Sequence, residues 1–181
     1  MQRVMIVGAP GSGKSTLARA LGAATGLPVC HMDHIHWLPG WRMRPMAERL
    51  ALARAVEARG SWIFEGGFSA TYDSRAARAD TPIWLDLPVG LRLWRVLRRL
   101  LRHRGQRRPD MAEGCVEGWH SETLPFFVYM WRTRSSTRAR IAELVAGQRD
   151  DLRIVHLRSR AEVAAFTAQH TRACAGTGNR R

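Results

Sequence analysis

The run Gly8-Ala9-Pro10-Gly11-Ser12-Gly13-Lys14-Ser15-Thr16 fills the pattern G-x-x-x-x-G-K-[ST], and its residue types suit the holding of a polyphosphate. The glycines can adopt φ > 0 and keep side chains away, so that successive backbone N–H groups turn toward a β-phosphate. A helix starting where the run ends adds free N–H groups of its own. Lys14 supplies a mobile ammonium for the β- and γ-phosphates, and the Ser15 hydroxyl is a ligand for Mg²⁺. Lys14 is also the only lysine among the 29 Lys and Arg residues, which suggests that a compact point charge is needed there and a planar guanidinium will not serve.

Carboxylates come next. Asp33, Glu65 and Asp86 each close an apolar run, and active sites of open α/β sheets lie at the carboxyl ends of strands. Asp33 is expected to serve Mg²⁺ through water, or to orient or deprotonate a substrate hydroxyl. Glu65 would face the same cleft. Gly66-Gly67 either lets backbone approach a ligand closely or makes a tight turn. Pro82 to Asp86 resembles a Walker B segment weakly, and Asp86 serves equally well as a cap for the next element. The stretch His34 to Trp41, with His36 and Trp37, reads as a loop lining a substrate pocket, given Pro39 and Gly40. Cys30, His31, Asp33, His34 and His36 are metal-ligand types, yet their spacing matches no structural zinc pattern and strand alternation would split them.

Arginines supply the remaining chemistry. Arg92, Arg95, Arg99 and Arg102 are spaced 3, 4 and 3 apart and share a helix face opposite the stripe Leu93, Val96, Leu97, Leu100 and Leu101. Four like charges in a row repel, and an anionic partner relieves that strain. Arg104 and Arg108 follow in a cationic, glycine-bearing stretch, residues 103 to 120, with the composition of a lid that closes over phosphates.

The elements that must position these groups alternate. Strands are predicted at Val4–Val7, Pro28–Asp33, Trp62–Glu65, Pro82–Asp86 and Arg153–Leu157. Helices are predicted after the phosphate loop as far as Gly26, over Met46–Arg59, through Tyr72 and Ala79, over Val89–His103, from Leu124 past Trp131, and after a Ser159 cap. The expected fold is a three-layer α/β/α domain over residues 1–170, with a five-stranded parallel sheet, right-handed crossovers and the lid as an insertion. Residues 171–181 read as a loose tail.

A chain of 181 residues suffices for one domain. Three cysteines without a C-x-x-C suggest neither a disulfide framework nor a zinc ribbon. No charged leader with an apolar core and no run of membrane-spanning length is seen, so a cytoplasmic, reducing setting is expected. The net charge of +14 fits a solvated surface with some phosphate ligands better than a nucleic-acid backbone site, because the arginines are spread along the chain without an aromatic-interleaved module.

The alternating elements, the phosphate loop after the first strand and the arginine-rich segment before the fifth together resemble the adenylate kinase and shikimate kinase group of P-loop kinases over nearly the whole chain. More narrowly, His31-Met32-Asp33 leading into Ile35-His36-Trp37-Leu38-Pro39-Gly40-Trp41, with Arg104-Gly105, Arg108-Pro109-Asp110-Met111 and Glu113-Gly114-Cys115, resembles bacterial proteins labelled DNA topology modulation or adenylate-kinase-like ATPases. The resemblance implies ATP, in preference to GTP, with Mg²⁺, and transfer of the γ-phosphoryl group to a small acceptor by a monomer or dimer. It implies that Gly8 to Thr16 hold the nucleotide, that Asp33 is the acidic residue after the second strand, and that Gly66-Gly67 is similar to the pair with which shikimate kinase holds its substrate. Arg95, Arg99 and Arg108 are then phosphate-binding arginines at the lid. The narrower family usually reads Gly-Asn-Tyr where this chain has Gly66-Gly67-Phe68. Its label carries the alternative of a nucleic-acid-associated ATPase or nucleotide-dependent switch.

Overall fold

The computed structural model describes residues 1–106, 108–119, 123–147 and 154–175. The apolar run Val4–Val7 lies within β1 (Arg3–Gly8), each of its four residues 3% exposed or less, as a strand covered on both faces requires. β1 pairs with β5 (Trp62–Glu65) on one side and β6 (Thr81–Leu85) on the other, while β2 (Val29–His31) lies outside β5 and β7 (Val155–Leu157) outside β6. The five-stranded order is β2-β5-β1-β6-β7, every pairing parallel.

Strand alternation divides the core into two faces. Val4, Ile6, Ile63 and Ile83 pack against Leu17, Ala18 and Leu21 of α1 (Lys14–Thr25) and against Val163 and Phe166 of α8 (Arg160–Ala175). Met5, Val7, Phe64 and Trp84 cluster with Ala53 and Val56 of α3 (Met46–Glu57), Ala76 of α4 (Tyr72–Arg78) and Ile141 of α7 (Arg134–Ala146). The result is the expected three-layer α/β/α arrangement. A smaller cluster, Val96, Leu100 and Met130 with Phe126 and Phe127, joins α5 (Val89–Arg102) to α6 (Thr123–Arg132).

Several boundaries differ from the sequence reading, each for a packing reason. The second strand stops at His31, and Asp33 stands instead in the first turn of α2 (Met32–His36), whose buried Met32 and Ile35 sit three apart and pin one helical turn to the core. The expected loop 34–41 is thereby part helix, and it continues as an antiparallel hairpin of β3 (Trp37–Leu38) and β4 (Arg42–Met43). In α5 the expected stripe is rotated: Leu101 is 60% exposed, whereas Arg92 is 5% exposed because its guanidinium is drawn inward onto backbone carbonyls. The long helix expected from Leu124 is broken at Thr133 into α6 and α7. At α8 the Ser159 Oγ accepts the Glu162 N–H at 3.1 Å and donates to its carboxylate at 3.0 Å, a serine cap of the expected kind. That helix runs on to Ala175, through residues expected to be tail. Arg153 and residues 176–181 lie outside the described residues.

Candidate active site

The cradle is built where β1 hands over to α1. Gly8, Gly11 and Gly13 have φ of 151°, 78° and 98°, values that side chains resist. A Cβ on Gly8 would lie 2.6 Å from the Leu85 carbonyl oxygen, and one on Gly11 would lie 2.5 Å from that of Arg92. Backbone therefore crowds the loop from behind, and its open side is left to N–H groups. α1 starts without a side-chain cap or an acidic residue in its first turn, so its positive end is uncompensated. Ser12 is 1% exposed, and its Oγ has no hydrogen-bond partner among the described residues. Lys14 Nζ donates to the Ala9 carbonyl at 3.3 Å, folded back over the loop. Burial lowers the Lys14 pKa, with Arg99 and Arg92 acting in the same sense and Glu65 and Asp33 opposing. An orphaned hydroxyl, an uncapped helix and a lysine folded onto a carbonyl are the features of a site that fits a polyphosphate.

Three carboxylates converge on this end of the cradle. The Asp33 pKa is pushed up to about 6, by burial first and by Glu65 next, while Lys14 and Arg108 pull it down. Glu65 is itself buried, 2.7 Å from His31 Nδ1. The third, Asp110, comes from the lid: it pairs with Arg108 at 2.6 Å and Arg19 at 3.3 Å, and the Ser15 hydroxyl acts with them to lower its pKa. Burial pushes the Asp110 carboxyl up, but these groups, Arg108 foremost, outweigh it and hold the pKa below the usual value. Among the described residues no three His, Cys, Asp or Glu form a cage for a metal ion. The donor set fits Mg²⁺ carried in with phosphates and water, with Ser15 as a direct ligand.

The segment expected to be a mobile lid is packed down. Asp110, Met111, Cys115 and Glu117 are each 4% exposed or less. Arg99 and Arg108 both form ion pairs with Glu117, by proximity rather than as aligned hydrogen bonds. The segment is docked on the β3–β4 hairpin: the Gly40 N–H donates to the Gly114 carbonyl at 3.2 Å and the Trp41 indole to that of Val116 at 3.1 Å. Trp41 holds φ 59°, unusual for a bulky residue, at the hairpin tip. His34 Nε2 lies 3.2 Å from the Pro109 carbonyl, tying α2 to the same segment.

The other candidates fall as follows. Arg95 Nη1 donates to the Ser12 carbonyl at 3.0 Å, so it rests on the cradle. Arg104 is exposed in the turn after α5. The His36 ring meets Phe68 edge-on at 4.9 Å, and its pKa is driven down to about 4 by burial, Arg49 and Arg75. Trp37 stands edge to face with Trp41 at 5.6 Å. Gly66 is fixed by packing: its φ is 118°, a Cβ there would lie 2.5 Å from that of Met32, and its carbonyl accepts from the buried Arg75 at 3.0 Å. Gly67 is exposed beside the Tyr72 hydroxyl. Asp86 pairs with Arg138 at 3.0 Å and with His156 at 3.2 Å. Glu117 was not singled out from sequence; His31 entered only among the metal-ligand types and the resemblance, and Asp110 only within the Arg108-Pro109-Asp110-Met111 run, neither with a role of its own.

No family model matches the chain, and no curated protein sequence matches it. Solved structures do. Shikimate kinase from Acinetobacter baumannii in complex with shikimate superposes with a TM-score of 0.58 at 14% identity, over 99% of this chain and 96% of that one. The chain shares the fold of that structure. A gluconokinase from Sinorhizobium meliloti 1021 gives 0.53 at 15% identity over 97% and 93% of the two chains. Deoxyadenosine kinase from M. mycoides with bound dATP gives 0.52 at 11% identity over 99% and 100%. At such identities the likeness is one of fold, and the chemistry rests on the residues of this chain.

Proposed function

We propose that this chain is a kinase that transfers the γ-phosphoryl group of ATP to a hydroxyl of a small acceptor with Mg²⁺. The observation that supports this reading is the electrostatic setting of Asp33, a carboxylate whose pKa is raised to about 6 by burial and by Glu65 and on which Lys14 acts in the opposite sense. A base in that setting accepts the acceptor's proton near neutral pH. The acceptor oxygen then bonds to the γ-phosphorus, the bond to the β–γ bridging oxygen breaks, and ADP leaves. Gly8 to Thr16 hold the triphosphate, Lys14 offsets its charge, and Ser15 with Asp33 through water would hold Mg²⁺. When bound, that ion neutralises charge on the β- and γ-phosphates. Arg95, Arg99 and Arg108 supply the remaining positive charge, the latter two by exchanging Glu117 for phosphate oxygens. His36, Trp37, Glu65, Gly66 and Gly67 border the acceptor side, and Arg104 the nucleotide side.

The alternative of a nucleic-acid-associated ATPase, which the narrower resemblance carries, is less well supported. Three of the four arginines in the α5 row are turned onto the cradle or the lid, so the row is not a solvent-facing strip for a phosphate backbone.

Replacing Lys14 by Ala is expected to lower turnover about a hundredfold or more, by analogy with the loss of one electrostatic donor. The measurement is ADP production with a panel of sugar, hydroxy-acid and nucleoside acceptors, and undiminished turnover in the variant would sink the assignment.

A further inference from the structure

Behind the cradle, at the carboxyl end of β6 and under α7, lies a cavity of about 370 Å³, within the range of small-molecule sites. Its lining combines apolar Trp84, Leu85, Val89 and Ile141 with Arg92, Arg134, Arg138 and Arg158, of which Arg92 is buried. The one carboxylate among its described lining residues, Asp86, is already committed. Both its oxygens accept from Arg138 Nε, at 3.1 and 3.0 Å, and His156 Nε2 lies 3.2 Å from one of them.

The other guanidiniums are held largely by neutral groups. Arg92 donates to the carbonyls of Leu87 at 3.0 Å and Pro10 at 3.4 Å. Arg134 donates to the Trp131 carbonyl at 2.7 Å and lies over the Trp131 ring at 4.4 Å. Arg158 Nε donates to His156 Nδ1 at 3.4 Å, and Glu162 accepts its backbone N–H at 2.8 Å. Among the described residues, neither Arg92 nor Arg134 has a carboxylate within ion-pair distance. The concavity therefore carries surplus positive charge in a partly low-dielectric lining, a combination that concentrates anions.

We propose that this cavity is a second anion site, separate from the cradle, which takes a small phosphate-bearing ligand with Arg134 and Arg158 as its principal donors. Guanidinium groups suit phosphate oxygens because two parallel N–H donors match two acceptors. Arg134 and Arg158 are exposed, so both can turn inward without unfolding anything. The site shares a wall with the cradle at Ala9, and Arg92 reaches from the cavity to the Pro10 carbonyl. Occupancy is thereby felt at the loop that grips the nucleotide. The proposal does not depend on phosphoryl transfer.

The test is calorimetric titration of pyrophosphate into the full chain already saturated with a non-hydrolysable ATP analogue, at constant ionic strength and free Mg²⁺. One further saturable site is expected, weakened about tenfold or more in the Arg134→Gln/Arg158→Gln double variant. That variant should keep its affinity for the analogue and its melting temperature. The Lys14→Ala chain should keep the pyrophosphate site, which separates it from the cradle whatever becomes of the kinase reading. No saturable binding below about 10 mM, equal binding in the double variant, or loss of binding in Lys14→Ala would each overturn the proposal. Displacement of pyrophosphate by sub-micromolar duplex DNA through the same arginines would assign the face to nucleic acid instead.

Discussion

Asp33 and Gly66 show how single positions divide between chemistry and packing. The Asp33 carboxyl has a folded pKa of about 6 against an ordinary 3.8, so the ionised, proton-accepting form is depleted below that pH. The expected kcat/KM profile falls about tenfold per unit below pH 6, and the limb should vanish in Asp33→Asn along with most of the activity. The same shift has a stability consequence of opposite sense. The folded state holds this proton more tightly than the unfolded chain, so the stabilisation it brings is full below pH 3.8 and is lost as pH rises through about 6. Asp33→Asn should therefore melt higher than the parent at pH 7.5 and show little gain at pH 4, read by thermal denaturation. Gly66→Ala must fit a Cβ 2.5 Å from that of Met32 at φ 118°, and should cost about 2–4 kcal/mol in urea unfolding. The cradle and Asp33 were legible in the sequence because their chemistry is written in adjacent residues. Asp110 was not, because its partner Arg19 belongs to α1, a distant element that only folding brings beside it.

At the scale of elements, the strands and most helices followed from apolar periodicity and glycine stops, as β1 and α1 show. The short α2 and the β3–β4 hairpin did not. One helical turn leaves no period to read, and burial of Met32 and Ile35 decided the local conformation against the strand that Pro28 to Asp33 suggested. At the expected lid, where glycines and arginines read as mobile, composition does not show that Glu117 and Asp110 pair with Arg99 and Arg108. On the proposed reading these carboxylates compete with phosphate for the same guanidiniums. Glu117→Gln should free them and tighten binding of an ATP analogue about tenfold, measured by titration, while amide exchange across residues 111–117 quickens in the analogue's absence. Gly114→Ala should quicken that exchange too, since a Cβ there would lie 2.9 Å from that of Pro39.

For the molecule as a whole, the +14 charge is partly internal to the site and partly spread over the surface. Loose association with duplex DNA should accordingly lose about a thousandfold or more in affinity between 50 and 200 mM salt, and ATP analogue should leave it unchanged in filter-binding or fluorescence titrations. No helix among the described residues is long and apolar enough to cross a membrane.

The docking of the lid on the hairpin has a kinetic corollary. The hairpin continues directly from α2, which carries Asp33, and the lid carries Asp110, which pairs with Arg19 of α1. If the chain acts as the kinase proposed above, the hairpin and the docked lid form one unit, and the acceptor and nucleotide sides should open together through one gate. Turnover limited by that gate would slow in proportion to solvent viscosity, and both products would leave in the same opening.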